Sequence, residues 1–271
     1  MKLFLQMFSY PFLLRALIVG IMVSLCAALL GVPLVLKRYS MIGDGLSHVS
    51  FGAIAIAVAV GWTPLAFSVP VVILVAFFLL RMRHARMGGD AAIAVFSASA
   101  LAIGIIVTTL TSGMTTDVAS YMFGSLLAMD RADVILSCCI SFAVLVLYLL
   151  CYRHIFAVTF DESFARAGGE KVDVYNSLLA VLTALTIVLG MRMMGAMLIS
   201  SLVIFPALTA MRLFKSFRAV VLSAAVSSVV CFTVGLCASY LLSLPVGAAV
   251  VVSNLLVFLL ACGAEKLGYH R

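Results

Sequence analysis

Asp44 and His48 are the two residues of this chain best suited to chemistry. They lie in "RYSMIGDGLSHVSFG", residues 38–52, which runs directly into the apolar "AIAIAVAVGW". Positions i and i+4 share one helix face, and Gly52 continues that face one turn on, where a small residue lets a second backbone approach. An imidazole nitrogen and a carboxylate oxygen are suitable ligands for zinc(II), manganese(II) or iron(II). Two ligands do not close a site, but a two-fold axis beside this helix would double them to two carboxylates and two imidazoles. The spacing equally fits an acid stabilising a helix N-terminus with an imidazole paired to it. Ionisable groups at membrane depth are costly and usually functional, which favours the ligand reading.

A second group lies in "RHIFAVTFDESFARAGGEKVD", residues 153–173. Phe156, Phe160 and Phe164 recur at i, i+4 and i+8, so one helix would carry them as a stripe. Asp161 and Glu162 precede Arg166, and Gly168-Gly169 ends the helical pattern. An aromatic stripe needs something to cover it. Docking into a partner's groove and lying in the membrane interface both answer that need, and the shortness of the stripe between two spans favours docking.

Other chemistries lack their residues. The chain has no Walker-type Gly-rich Lys-Ser/Thr loop, no H-E-x-x-H and no G-x-S-x-G. The seven cysteines all lie in apolar runs without zinc-finger or redox spacing. His84, His154 and His270 sit in basic loops and read as interfacial or topological. Asp117, Asp130 and Asp133 read as solvated outer loop charges. Asn254, inside the last span, reads as interhelical glue.

The elements that must position these groups are membrane helices. The chain of 271 residues is 65% hydrophobic and 10% charged, against roughly 25% charged in soluble domains, and its mean hydropathy is +1.29. The apolar runs are continuous rather than alternating, which excludes a barrel and predicts an all-α polytopic membrane protein, a single transmembrane domain over residues 1–271. Spans are predicted near 12–36, 42–60, 64–80, 91–110, 133–152, 175–191, 194–211, 219–242 and 247–263, with 116–130 as an interfacial or partly inserted helix, so eight or nine spans in all. The net charge of +7 is spread over short loops, which suits topology setting and anionic lipid rather than nucleic acid. The basic loops place the N-terminus outside and the C-terminus inside. The segment "GAMLISSLVIFPALTA", residues 195–210, holds Ser200 and Ser201 in mid-run and Pro206 one turn later. Such a break lines a cavity or is a kink tolerated by neighbours.

Together these segments resemble the permease subunits of bacterial ABC importers for zinc and manganese, with iron in the same family. "KRYSMIGDGLSHVSFGAIAIA" resembles the family's M-x-G-D-x-x-S-H signature, which follows a basic pair. "DESFARAGG" resembles its cytoplasmic segment, "GAMLISSLVIFPALTA" its proline-bearing span, and "LPVGAAVVVSNLLVFLLA" its last span. The resemblance runs in order across residues 31–262. It implies the type II importer permease fold, a homodimer in the plasma membrane of a bacterium, two ATPase subunits at the cytoplasmic face and an extracytoplasmic metal-binding protein. It implies no permanently bound cofactor and no enzymatic activity of the chain itself, with zinc(II) or manganese(II) as cargo. Asp44 and His48 would face the pathway, with Gly52, Ser200, Ser201 and Pro206 as further lining candidates. The segment containing Phe160, Asp161, Glu162, Phe164, Ala165, Arg166 and Gly168 would be the coupling helix seated in the ATPase. Siderophore and cobalamin permeases share this architecture but are longer, and a stand-alone secondary transporter would carry inverted repeats and mid-span charges, which the sequence does not show.

Overall fold

The computed structural model describes residues 11–81, 89–112 and 131–266. Eleven helices lie in these segments: α1 (Pro11–Leu36), α2 (Ile42–Val60), α3 (Pro64–Arg81), α4 (Gly89–Ser112), α5 (Arg131–Leu150), α6 (Tyr152–Phe160), α7 (Glu162–Ala167), α8 (Val172–Met194), α9 (Ala196–Leu213), α10 (Phe217–Leu242) and α11 (Val246–Lys266). The segment 116–130 and the residues His84, His270, Asp117 and Asp130 lie outside the described residues.

Seven of these helices are long and apolar enough to cross a bilayer, and α5 with α6 forms an eighth candidate span, bent by 68° between Leu150 and Tyr152. The shorter apolar helix Pro64–Leu80 within α3 matches the predicted third span. The bundle is layered. α1, α2 and α8 bury most of their residues, whereas α4 and α11 bury few of theirs. α1 packs against α9, α10, α5 and α8, and α2 against α4, α3, α9 and α8. In lipid the hydrophobic effect does not drive helix against helix, so small residues and polar bridges hold the bundle. Ser228 of α10 donates to the Ser24 carbonyl of α1 at 3.0 Å, and the Cys26 thiol of α1 donates to the Ser141 carbonyl of α5 at 3.3 Å.

Turn chemistry sets the helix ends around the candidate site. α1 closes with Tyr39 N–H donating to Leu34 O at 2.9 Å and Arg38 N–H to Val35 O at 3.0 Å. This is a Schellman turn in which Arg38 takes the left-handed conformation (φ 63°) usually left to glycine. α2 ends in the same way at Gly61 (φ 77°), with Trp62 N–H donating to Ala57 O at 2.8 Å.

Gly52 is buried where α2 meets α4: a Cβ there would stand 2.6 Å from the Ala100 carbonyl oxygen, a backbone atom that cannot rotate away. Gly52→Ala is therefore expected to push α4 off α2 and lower the thermal midpoint in detergent, at a cost of about 1–3 kcal/mol. Gly263→Ala, where nothing lies within 4 Å of the added carbon, is the control expected to leave the midpoint unchanged.

Candidate functional site

The first turn of α2 is wedged between two helices. A Cβ on Gly45 would meet Ile93 Cγ2 of α4 at 2.5 Å, and Gly43 lies over Ser200 and Val203 of α9. Asp44, between these two glycines, is left pointing along the remaining open side. His48 follows on the same side, with its Nε2 at 3.6 Å from Asp44 Oδ1 and side-chain exposures of 15% for His48 and 41% for Asp44. The open strip continues through Ala55 and Val58, while Phe51 and Gly52 are buried. An ionisable pair thus lies on the accessible face of an otherwise buried helix.

The separation matters for chemistry. Two ligands bound at ~2.0–2.2 Å to one tetrahedral ion stand about 3.4 Å apart. The pair at 3.6 Å is past hydrogen-bond length and close to that edge, so both atoms can turn to one ion without a backbone shift. Ser200 of α9 lies beside the Asp44 turn, against Gly43 and near the carboxylate. Its hydroxyl donates to Ala196 O of its own helix at 2.9 Å. Ser47 donates to the Asp44 backbone carbonyl at 2.8 Å. Ser201 is buried and bonded to Leu198 O at 2.8 Å, and Pro206 is buried inside α9. The structure therefore brings Ser200 to the pair and places Gly52, Ser201 and Pro206 in packed helix contacts. Among the described residues no group of three or more His, Cys, Asp or Glu side chains could hold an ion, and Asp44 and His48 stand as a pair without a third such side chain.

The 153–173 segment is not one helix. It breaks at Asp161 (φ −149°, ψ 102°), whose carboxylate accepts the Phe164 N–H at 2.9 Å and so caps α7. The predicted stripe is divided by this break. Phe156 and Phe160 stay on α6 and pack on Phe217 of α10 with ring centroids 5.0 and 5.9 Å away. Phe164 rides on α7 and is 78% exposed. Ala165 is buried against Val158 and Val172. Arg166 pairs with Asp173 at 3.5 Å on the surface, a contact of little energetic weight. Gly168 ends α7 in an ordinary conformation, and it is Gly169 (φ 86°) that needs to be glycine.

Residues that spacing alone does not single out also converge here. Lys37, in the turn between α1 and α2, bonds Glu162 Oε1 at 2.9 Å and also Asn176 Oδ1. His154 is not merely a loop charge: its Nδ1 lies 2.8 Å from Glu170 Oε2 and its ring stacks on Tyr175. Neither pairing is at helical spacing, so no local pattern announces it. Asn254, buried in α11, donates to Val250 O of its own helix at 3.0 Å.

Comparisons agree with this architecture. Residues 9–264 match the model of the ABC 3 transport family. The manganese import system permease protein ScaB of Streptococcus gordonii is 27% identical, over 93% of this chain and 91% of its own. The high-affinity zinc uptake system membrane protein ZnuB of Haemophilus influenzae is 28% identical, over 93% of this chain and 97% of its own. Among solved structures, PsaBC from Streptococcus pneumoniae in complex with Fab superposes with a TM-score of 0.85 at 27% identity, covering 96% of this chain and 94% of that one. With a matched segment that runs from before α1 to within two residues of the end of α11, this chain is a multi-pass plasma-membrane permease and belongs to the ABC 3 transport family.

Proposed function

We propose that this chain, as a homodimer, forms the translocation pathway of an ATP-driven importer of a divalent metal ion, with zinc(II) favoured over manganese(II). The observation that carries this reading is the Asp44–His48 pair, 3.6 Å apart on the open face of α2. An ionisable pair on an uncovered side of a membrane bundle is costly, and a second copy of the same face covers it while completing the ligand set. Two imidazoles and two carboxylates give a four-coordinate nitrogen–oxygen site, which suits zinc. Manganese prefers more oxygen donors. Relatives are named for either metal, so the preference rests on ligand chemistry.

Transport also needs release. Four ligands from two separable halves can be dismantled by moving one helix against its copy, which a rigid closed cage does not allow. A partner ATPase supplies the work from the cytoplasmic side, and an extracytoplasmic binding protein delivers the ion. The test is uptake into vesicles holding the permease with its ATPase and binding-protein partners, each metal offered alone and then in competition. ATP-dependent zinc uptake that manganese inhibits only in large excess is the expected result. Uptake without ATP, or manganese preferred over zinc, overturns the corresponding part.

A further inference from the structure

We propose that Lys37 and Glu162 are positioning residues that transmit movement of α7 to the Asp44–His48 helix, an inference that rests on the reading of this chain as an ATP-driven metal permease. Lys37, before α2, and Glu162, the first residue of α7, lie 125 positions apart, yet Lys37 Nζ and Glu162 Oε1 are 2.9 Å apart. The two adjacent acids, Asp161 and Glu162, do different work. Asp161 spends its carboxylate on capping α7, whereas Glu162 turns inward and away from the surface that exposes Phe164. Asn176 of α8 closes the triangle, accepting from Lys37 and donating to Glu162 at 3.4 Å.

Burial makes this a link rather than a surface contact. The Lys37 side chain is 2% exposed and that of Glu162 is 23% exposed. A buried ammonium that loses its carboxylate is left without a counter-charge, which is costly, so a displaced α7 pulls on Lys37. The chain from Lys37 to the ligands has little slack. Lys37 N–H donates to Pro33 O at 3.0 Å, Tyr39 N–H to Leu34 O at 2.9 Å, Ile42 N–H to Tyr39 O at 3.1 Å and Gly45 N–H to Met41 O at 3.0 Å. The Tyr39 hydroxyl donates to Leu80 O at 3.1 Å, tying the same turn to α3. Asp44 therefore lies seven residues from Lys37, across a turn that these backbone bonds hold closed. A polar cavity of about 440 Å³, lined by Lys37, Tyr39, Glu162, Arg166, Asp173 and Asn176, flanks the pair and leaves α7 room to shift.

The experiment measures metal ions moved per ATP hydrolysed by the permease reconstituted with its ATPase subunit and metal-loaded binding protein. Glu162→Gln keeps the shape and a hydrogen bond to Lys37, and Lys37→Met keeps the length of the stem. Each is expected to retain ATPase co-purification and ATP hydrolysis while ions per ATP fall about tenfold. The exchanged pair, Lys37→Glu with Glu162→Lys, is expected to recover part of that ratio. An unchanged ratio in either single variant overturns the proposal. So does a loss of uptake that parallels a loss of co-purification and is not recovered by the exchange, because the pair would then serve folding alone. Failure of the unaltered complex to take up metal with ATP would instead sink the transport reading itself.

Discussion

Asp44→Ala is expected to reduce ATP-dependent metal uptake by at least about 100-fold, because losing even a group that merely orients a metal ligand costs 10–100-fold. His48→Ala is expected to do the same. The membrane protein should survive both changes. Neither side chain belongs to the buried core, and the neighbours that fix this turn of α2 are Ile93, Ser200 and Val203, which the substitutions leave in place. Folded yield and thermal midpoint in detergent should therefore match the unaltered protein. Asp44→Asn separates charge from shape, since it keeps the outline and removes the anionic donor, and it should fall nearly as far as alanine. Ser200→Ala removes only a neighbour of the carboxylate, and a loss of about tenfold is expected. Radiolabelled zinc uptake across the set gives the order. Wild-type uptake by both alanine variants would remove the pair from the pathway.

Phe164→Ala is expected to detach the ATPase subunit while leaving the permease as stable as before. The ring is 78% exposed on a capped two-turn helix, and truncating an aromatic anchor at the centre of an interface costs about 2 kcal/mol or more, roughly 30-fold in affinity. Phe156→Ala is expected to behave in the opposite way. Its ring packs on Phe160 at 4.9 Å and Phe217 at 5.0 Å, and removing it takes away pair energies of about 0.5–1.5 kcal/mol each, so the midpoint falls first. Co-purification and thermal unfolding read on the same variants separate the two roles. If Phe164→Ala retains its ATPase at full stoichiometry, α7 is not the docking element.

The contrast between those two phenylalanines shows where sequence stopped being enough. A period of four predicts one stripe, and it is correct for Phe156 and Phe160. The stripe ends because Asp161 caps a new helix. The acid was visible in the sequence, but capping α7 and decorating a continuous helix use the same residue type at the same place.

Hydropathy is a local property, so the chain alone determined its membrane class, its all-helical build and the ends of most spans to within a few residues. Helical period is local too, which is why Asp44 and His48 were legible as one face before any coordinates. Side-chain pairing between helices is not local, because it depends on how each helix is rotated and how deeply it sits. Only the tertiary structure decided that Lys37 answers Glu162, that His154 answers Glu170, and that Ser200 stands over Asp44. It also decided that Gly45 and Gly52 press against α4, leaving one side of α2 open for Asp44 and His48. A charged residue at a span's edge reads the same in sequence whether it meets water or another helix, and what it meets depends on packing.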